Sequence, residues 1–92
     1  MAKSEADIKK AIARFAGRPG YKKFRIGIGE DARKRLQQQG VDPADALILT
    51  ANTEGVARRV EQDLQEKGMD GGPGGGKEPK QVYVFPKSKK KR

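Results

Sequence analysis

The sequence contains no cysteine and no histidine among its 92 residues. Their absence excludes disulfide bonds, thiol nucleophiles, imidazole bases and the side chains that most often bind zinc. Hydrophobic residues are also scarce, at 34% of the chain. A domain of this size and composition builds a thin core, so we do not expect a large enclosed active-site cavity.

Long apolar segments are absent as well. No stretch approaches the roughly 20 apolar residues that a membrane-spanning helix needs. The opening residues, MAKSEADIKK, do not contain the apolar run of a signal peptide. These two features predict a cytoplasmic protein that has no membrane partner.

Net charge, in contrast, is large, at +9. Residues 1–40 and 71–92 are net positive, whereas residues 41–70 are net negative. Such an uneven distribution predicts an electrically polarised fold that attracts a polyanion to one side. The total charge alone does not distinguish among nucleic acid, an acidic protein and an anionic membrane surface.

Local patterns predict three helices. Each begins after a side chain suited to capping a helix N-terminus and ends before a glycine. The capping residues are Ser4, Asp31 and Thr53, and the glycines are Gly17, Gly40 and Gly68. Between these limits the apolar residues recur at the three- and four-residue spacing of an amphipathic helix.

Three further segments have the patterns of strands. Phe24, Ile26 and Ile28 alternate with basic residues or glycine. Residues 46–51 form a run that is apolar except at Thr50, which predicts a strand in the middle of the sheet, and residues 82–85 form a last short strand. The expected fold is α/β (α+β), with three helices packed on a small three-stranded sheet.

The predicted organisation is one small domain followed by a tail. The domain covers residues 1–86, and residues 87–92 form a disordered basic tail. Residues 70–76 are rich in glycine, which is typical of a flexible loop between a helix and a strand. Glycine backbones can also cradle a phosphate, but the Gly-Lys-Ser/Thr ending of a nucleotide-binding loop is missing.

The candidate nucleic-acid-binding residues lie on the first long strand, on the helix after it, and in the tail. They are Lys22, Lys23, Arg25, Arg33, Lys34, Arg35, Lys87, Lys89, Lys90, Lys91 and Arg92. This set suits a phosphate backbone, although a solvated basic face, a localisation signal or an RNA-binding tail shares parts of the pattern. No helix-turn-helix, zinc finger or aromatic RNA-binding motif is present, which favours sequence-independent binding.

Three features between residues 21 and 67 occur at a distinctive spacing. Arg25-Ile26-Gly27 lies on a strand, Arg35 follows ten residues after Arg25 on a helix, and Glu61 lies on a later helix. Together they resemble the GIY-YIG nuclease superfamily, in which a Tyr-Ile-Gly strand precedes an essential arginine and a metal-binding glutamate. The resemblance implies that Arg35 and Glu61 are catalytic and that Glu61 binds Mg²⁺ or Mn²⁺. The glycine-rich ending also resembles that of small bacterial and phage relatives.

The similarity to this family is incomplete at the catalytic position. Arg25 stands where the family has a tyrosine, and the family's Gly-Ile-Tyr strand has no counterpart upstream. A protonated arginine cannot accept a proton near neutral pH, so we expect weak catalysis or none, with no required cofactor. Arg35 and Glu61 each border an apolar helix stripe, which suggests either an ion pair between them or two side chains extended into solvent.

The leading hypothesis is a nucleic-acid-binding domain with a degenerate GIY-YIG-type site, largely sequence-nonspecific, with DNA favoured over RNA. One alternative is an active endonuclease that depends on Mg²⁺ or Mn²⁺. Another is a phage structural or interaction protein that forms a homodimer or a larger assembly.

Overall fold

The computed structural model describes residues 2–17, 20–71 and 79–87, which form three α-helices and four β-strands. The elements are β1 (Ala2–Lys3), α1 (Glu5–Ala16), β2 (Phe24–Gly29), α2 (Ala32–Gln38), β3 (Leu47–Ala51), α3 (Glu54–Glu66) and β4 (Gln81–Pro86). The predicted α+β class is confirmed. None of the helices in this part of the chain is long and apolar enough to cross a membrane.

The four strands form one sheet in the order β1-β3-β4-β2. β4 is antiparallel to both of its neighbours, and β1 is parallel to β3. The prediction of three strands is wrong because it omits β1, whose two residues are too few to show alternation. β4 has a long partner strand on each side, namely β2 and β3. β3 has one long partner, β4, because β1 pairs with it only at Thr50 and Ala51.

β4 also separates two hydrophobic cores, because its side chains alternate between the two faces of the sheet. Val82 and Val84 join the larger core, which α1 and α3 cover. Tyr83 and Phe85 join a smaller core, which α2 covers. All four side chains are at most 3% exposed. The sheet therefore lies between α2 on one face and α1 and α3 on the other.

The predicted helix limits are confirmed by hydrogen bonds and backbone angles. The side chains of Ser4, Asp31 and Thr53 each accept a hydrogen bond from the backbone N–H three residues later, at 3.2 to 3.3 Å. The glycines after the helices have φ values between 58° and 120°, which favour glycine. Chemistry within a few residues thus determines where the helices begin and end.

The direction of the strands gives the sheet two different ends. β1, β2 and β3 run the same way, and each leads into a helix within three residues. The N-termini of all three helices therefore lie at one end of the sheet. The beginning of β2 and the end of β4 lie at the opposite end.

Ion pairs join α1 to α3 along their solvent-facing sides. Lys9 Nζ lies 2.8 Å from Glu5 Oε2 and 3.0 Å from Asp63 Oδ2. Arg59 Nε pairs with Glu5 at 2.8 Å, and Lys67 Nζ pairs with Asp63 at 3.1 Å. Hydrogen bonds from Lys9 are the main cause of the lowered pKa of Glu5 and of Asp63, and the Glu5 carboxylate raises the pKa of Lys9.

We predict that Lys9→Gln lowers the free energy of unfolding at pH 7 but has almost no effect at pH 2. Glu5 and Asp63 have folded pKa values below their ordinary 4.5 and 3.8. Their contribution to stability is present above those ordinary values and is lost as the pH falls through the lowered ones. Urea unfolding at both pH values measures the difference, with the exposed neighbour Lys10→Gln as control. An equal loss at both pH values would contradict the ion-pair explanation.

Candidate nucleic-acid interface

One face of β2 lies against α2 and β4 side chains instead of the larger core. The even-numbered residues of β2 enter the larger core, so Arg25, Gly27 and Gly29 face the other way. The Tyr83 ring lies over Gly27 so closely that a Cβ atom there would overlap it. Arg35 crosses Gly29, with its Cγ 3.3 Å from the place of a Cβ atom. Arg25 is therefore the side chain that β2 itself contributes to this face.

Polar contacts fix α2 over this face at both ends. Gln81 Oε1 accepts a hydrogen bond from the Ala32 N–H at 2.7 Å, where the helix begins. Gln39 Nε2, just after the helix, donates to the Tyr83 hydroxyl at 3.0 Å. Between them, Leu36 is fully buried. The position of α2 relative to the sheet is consequently fixed at both ends.

The three basic residues of α2 do not form one continuous strip. Arg33 and Lys34 are exposed, and Arg33 lines a shallow groove with Asp42. Arg35 is partly buried, and its Nε is buried without a hydrogen-bond partner among the described residues. Arg33 and Arg35 lie on opposite borders of the buried stripe, because residues two apart on a helix are rotated by roughly 200°.

A second group of basic residues gathers where β2 begins and β4 ends. Lys22 and Lys23 lie in the 3-10 turn before β2, and Lys87 directly follows β4. The antiparallel register brings these segments together, and all three lysines are exposed. Arg25, which is partly exposed, lies beside them on β2. We call Lys22, Lys23, Arg25 and Lys87 the basic end.

One acidic residue, Asp70, lies within the basic end. Its backbone forms a single bridge with β2 opposite Arg25, donating to the Phe24 carbonyl at 3.2 Å and accepting from the Ile26 N–H at 2.8 Å. Its carboxylate lies 2.8 Å from Lys87 Nζ. The hydrogen bond from Lys87 is the main cause of the lowered pKa of Asp70, and the charge of Arg25 adds to it.

Some of the predicted binding residues lie outside the described part of the chain. They are Lys89, Lys90, Lys91 and Arg92, and residues 72–76 of the predicted glycine-rich loop lie outside it as well.

Glu61 is partly buried on α3, at the border of its apolar stripe. Burial raises the pKa of its carboxyl group, and the charge of Arg58 opposes this rise. Within residues 2–17, 20–71 and 79–87, Glu61 has no hydrogen bond or ion pair. The suggested ion pair with Arg35 does not form, because α2 and α3 pack on opposite faces of the sheet.

Glu61 does not belong to a metal-binding cluster in the described part of the chain. That part contains no cluster of three or more His, Cys, Asp or Glu side chains that could hold a metal ion. Mg²⁺ is usually held by one or two carboxylates together with water and substrate phosphates. A role for Glu61 as a ligand of Mg²⁺ or Mn²⁺ stays a prediction.

Sequence reasoning missed the polar residues that organise this face, namely Asp70, Gln81 and Tyr83. Tyr83 alternates with valines in β4, which marks it as facing a different side from them. Nothing in its own sequence neighbourhood indicates that Gly27 lies opposite. Asp70 follows a helix-ending glycine and precedes a glycine-rich segment, so its pattern indicates only a loop residue.

Comparison of this chain with family models, curated proteins and solved structures finds no match. The resemblance to the GIY-YIG superfamily therefore stays a prediction, and its catalytic roles for Arg35 and Glu61 stay predictions with it.

Proposed function

We propose that this chain is a nucleic-acid-binding domain that contacts the phosphate backbone largely independently of base sequence. The observation that supports the proposal is the basic end, where register brings four cations from separate segments together. Duplex DNA carries about one negative charge per 1.7 Å of its axis, so closely spaced cations can contact several phosphates at once. Counterion release then drives binding.

The charges on the two faces of the sheet also indicate from which side a nucleic acid approaches the protein. On the α1–α3 face, the cations Lys9, Arg59 and Lys67 are paired with carboxylates. On the α2 face, Arg33 and Lys34 are exposed in the first turn of α2, at the end of the sheet opposite the basic end. A polyanion is therefore attracted to the α2 face and to the basic end, since three cations of the α1–α3 face are already paired with carboxylates.

Weak dependence on base sequence follows from the elements that carry the cations. Lys22 and Lys23 are on a three-residue 3-10 turn, and Lys87 is at the end of a strand. Contacts from such positions to phosphate oxygens set affinity and orientation but carry no direct sequence information. We propose DNA as the preferred partner, with RNA as the comparison.

The proposal predicts a salt-dependent affinity that depends on the basic end. Log affinity for a labelled DNA duplex should fall linearly with log salt, with a slope of about −0.9 per phosphate contact. Replacing Lys22 and Lys23 together with glutamine should reduce the steepness of that slope by about two and weaken binding to unrelated sequences equally. Fluorescence anisotropy at several salt concentrations measures both quantities.

The matched control replaces Lys10 and Lys80, which are exposed and lie away from the basic end, with glutamine. This variant has the same net charge as the test variant and should keep nearly the wild-type slope. Affinity that is unchanged between low and high salt would contradict the proposal. Measuring the affinity for an RNA of equal length shows which of the two nucleic acids the protein binds more tightly.

Adding Mg²⁺ or Mn²⁺ to the same samples tests the endonuclease hypothesis. Cleavage by the wild type that disappears in Glu61→Ala would establish a metal-dependent nuclease. Salt-sensitive binding without cleavage would support a binding domain.

A further inference from the structure

The Asp70 carboxylate is held within the basic end by its own backbone. Two hydrogen bonds to β2, at 3.2 and 2.8 Å, fix the residue in line with Arg25. Residues paired across a sheet direct their side chains to the same face, so Asp70 and Arg25 share the face toward α2. Lys87 reaches the same carboxylate at 2.8 Å. The Asp70 carboxylate thus contacts Lys87 directly and lies within the electrostatic influence of Arg25.

Another anion can take the place of the Asp70 carboxylate beside Lys87. The side chains of Lys87 and Asp70 are 42% and 57% exposed, so water and salt screen their attraction. A phosphodiester group also shares its negative charge between two oxygens and accepts charge-assisted hydrogen bonds from lysine and from arginine. Displacing the carboxylate therefore leaves Lys87 with an equivalent partner and gives Arg25 a hydrogen-bond acceptor.

We propose that Arg25 and Lys87 form a phosphate subsite, and that the Asp70 carboxylate occupies this subsite in the free protein. The inference rests on the proposed function and adds to it a specific position for one backbone phosphate. Because a phosphate must displace the carboxylate, Asp70 competes with nucleic acid for the subsite. Asp70 therefore lowers the affinity of the protein for nucleic acid. An aspartate carboxyl group is already ionised at neutral pH, and the lowered pKa of Asp70 extends its ionised range to more acidic pH.

The test compares Asp70→Asn in the full chain with a matched variant, Asp7→Asn. Both remove one negative charge, but Asp7 is exposed near the N-terminus of α1, at the opposite end of the sheet. The probe is a 12-base-pair DNA duplex at 150 mM salt, where the Debye length is about 8 Å and distant charges are screened.

We expect Asp70→Asn to bind the duplex about 3- to 5-fold more tightly than the wild type, which corresponds to the upper range for an exposed ion pair. Asp7→Asn should change the affinity less than 2-fold. In a Lys87→Gln background, the gain from Asp70→Asn should shrink, because the cation that pairs with the Asp70 carboxylate is missing.

The outcomes separate this inference from the proposed function. Salt-sensitive wild-type binding with equal affinities for Asp70→Asn and Asp7→Asn would overturn the subsite and leave the proposed function standing. A full gain from Asp70→Asn in the Lys87→Gln background would overturn the role of Lys87. Absence of binding by every variant at low salt would overturn both the subsite and the proposed function.

Discussion

Replacing Phe85 with alanine should lower the free energy of unfolding by about 3–5 kcal/mol. Phe85 is fully buried and stacks on Tyr83, with ring centroids 6.4 Å apart and an interplanar angle of 10°. Its ring fills the smaller core beneath α2, together with Leu36 and Val41, and its removal leaves a cavity there. Domains of this size have total stabilities of about 5–15 kcal/mol, so the loss should be evident in urea unfolding.

Phe15→Ala provides the matched control for this prediction. Phe15 is only partly buried, at the border of the larger core, and meets Phe24 edge to face at 5.6 Å. The same change in side-chain volume should therefore cost clearly less. If the two substitutions have equal effects, the smaller core does not stabilise the fold as the structure indicates.

Replacing Gly27 with alanine should cost about 1–3 kcal/mol, even though it adds a single methyl group. The new Cβ atom would overlap the ring and hydroxyl of Tyr83. That ring cannot move aside easily, because it is 3% exposed and its hydroxyl is bonded to Gln39. Thermal or urea unfolding measures the loss.

Gly55→Ala tests whether the effect is specific to the contact with Tyr83. A Cβ atom at Gly55 meets nothing closer than 3.6 Å, and the residue lies within α3, where alanine favours the helix by up to about 1 kcal/mol. This control should be neutral or stabilising. Combining Gly27→Ala with Tyr83→Leu should cost less than the sum of the two single changes, since the overlapping ring is gone. Strict additivity would argue against the overlap.

The helix limits and the class of fold were predictable because they depend on short-range chemistry. Ser4, Asp31 and Thr53 cap helices through contacts three residues away, and the glycines after the helices adopt angles that other residues avoid. The alternation in β2 likewise indicates which of its residues enter a core. No long-range information is needed for these predictions.

The strand order and the faces of the helices were not predictable in the same way. β1 has two exposed residues and gives no pattern, and β4 resembles any short apolar strand. Arg35 and Glu61 have similar positions beside apolar stripes, yet their helices pack on opposite faces of the sheet. Helical spacing shows that a stripe is buried but does not show which face of the sheet buries it.

By itself, the sequence determined the charge of this protein, the ends of its helices and the positions of its long strands, because each depends on composition or on neighbours within about four residues. Only the tertiary structure decided which charges meet. Lys22, Lys23, Arg25, Asp70 and Lys87 are spread over 66 positions of the sequence and come together through the pairing of β2 with β4 and the bridge at Asp70. Strand register sets those distances, and register depends on how both faces of the sheet are packed.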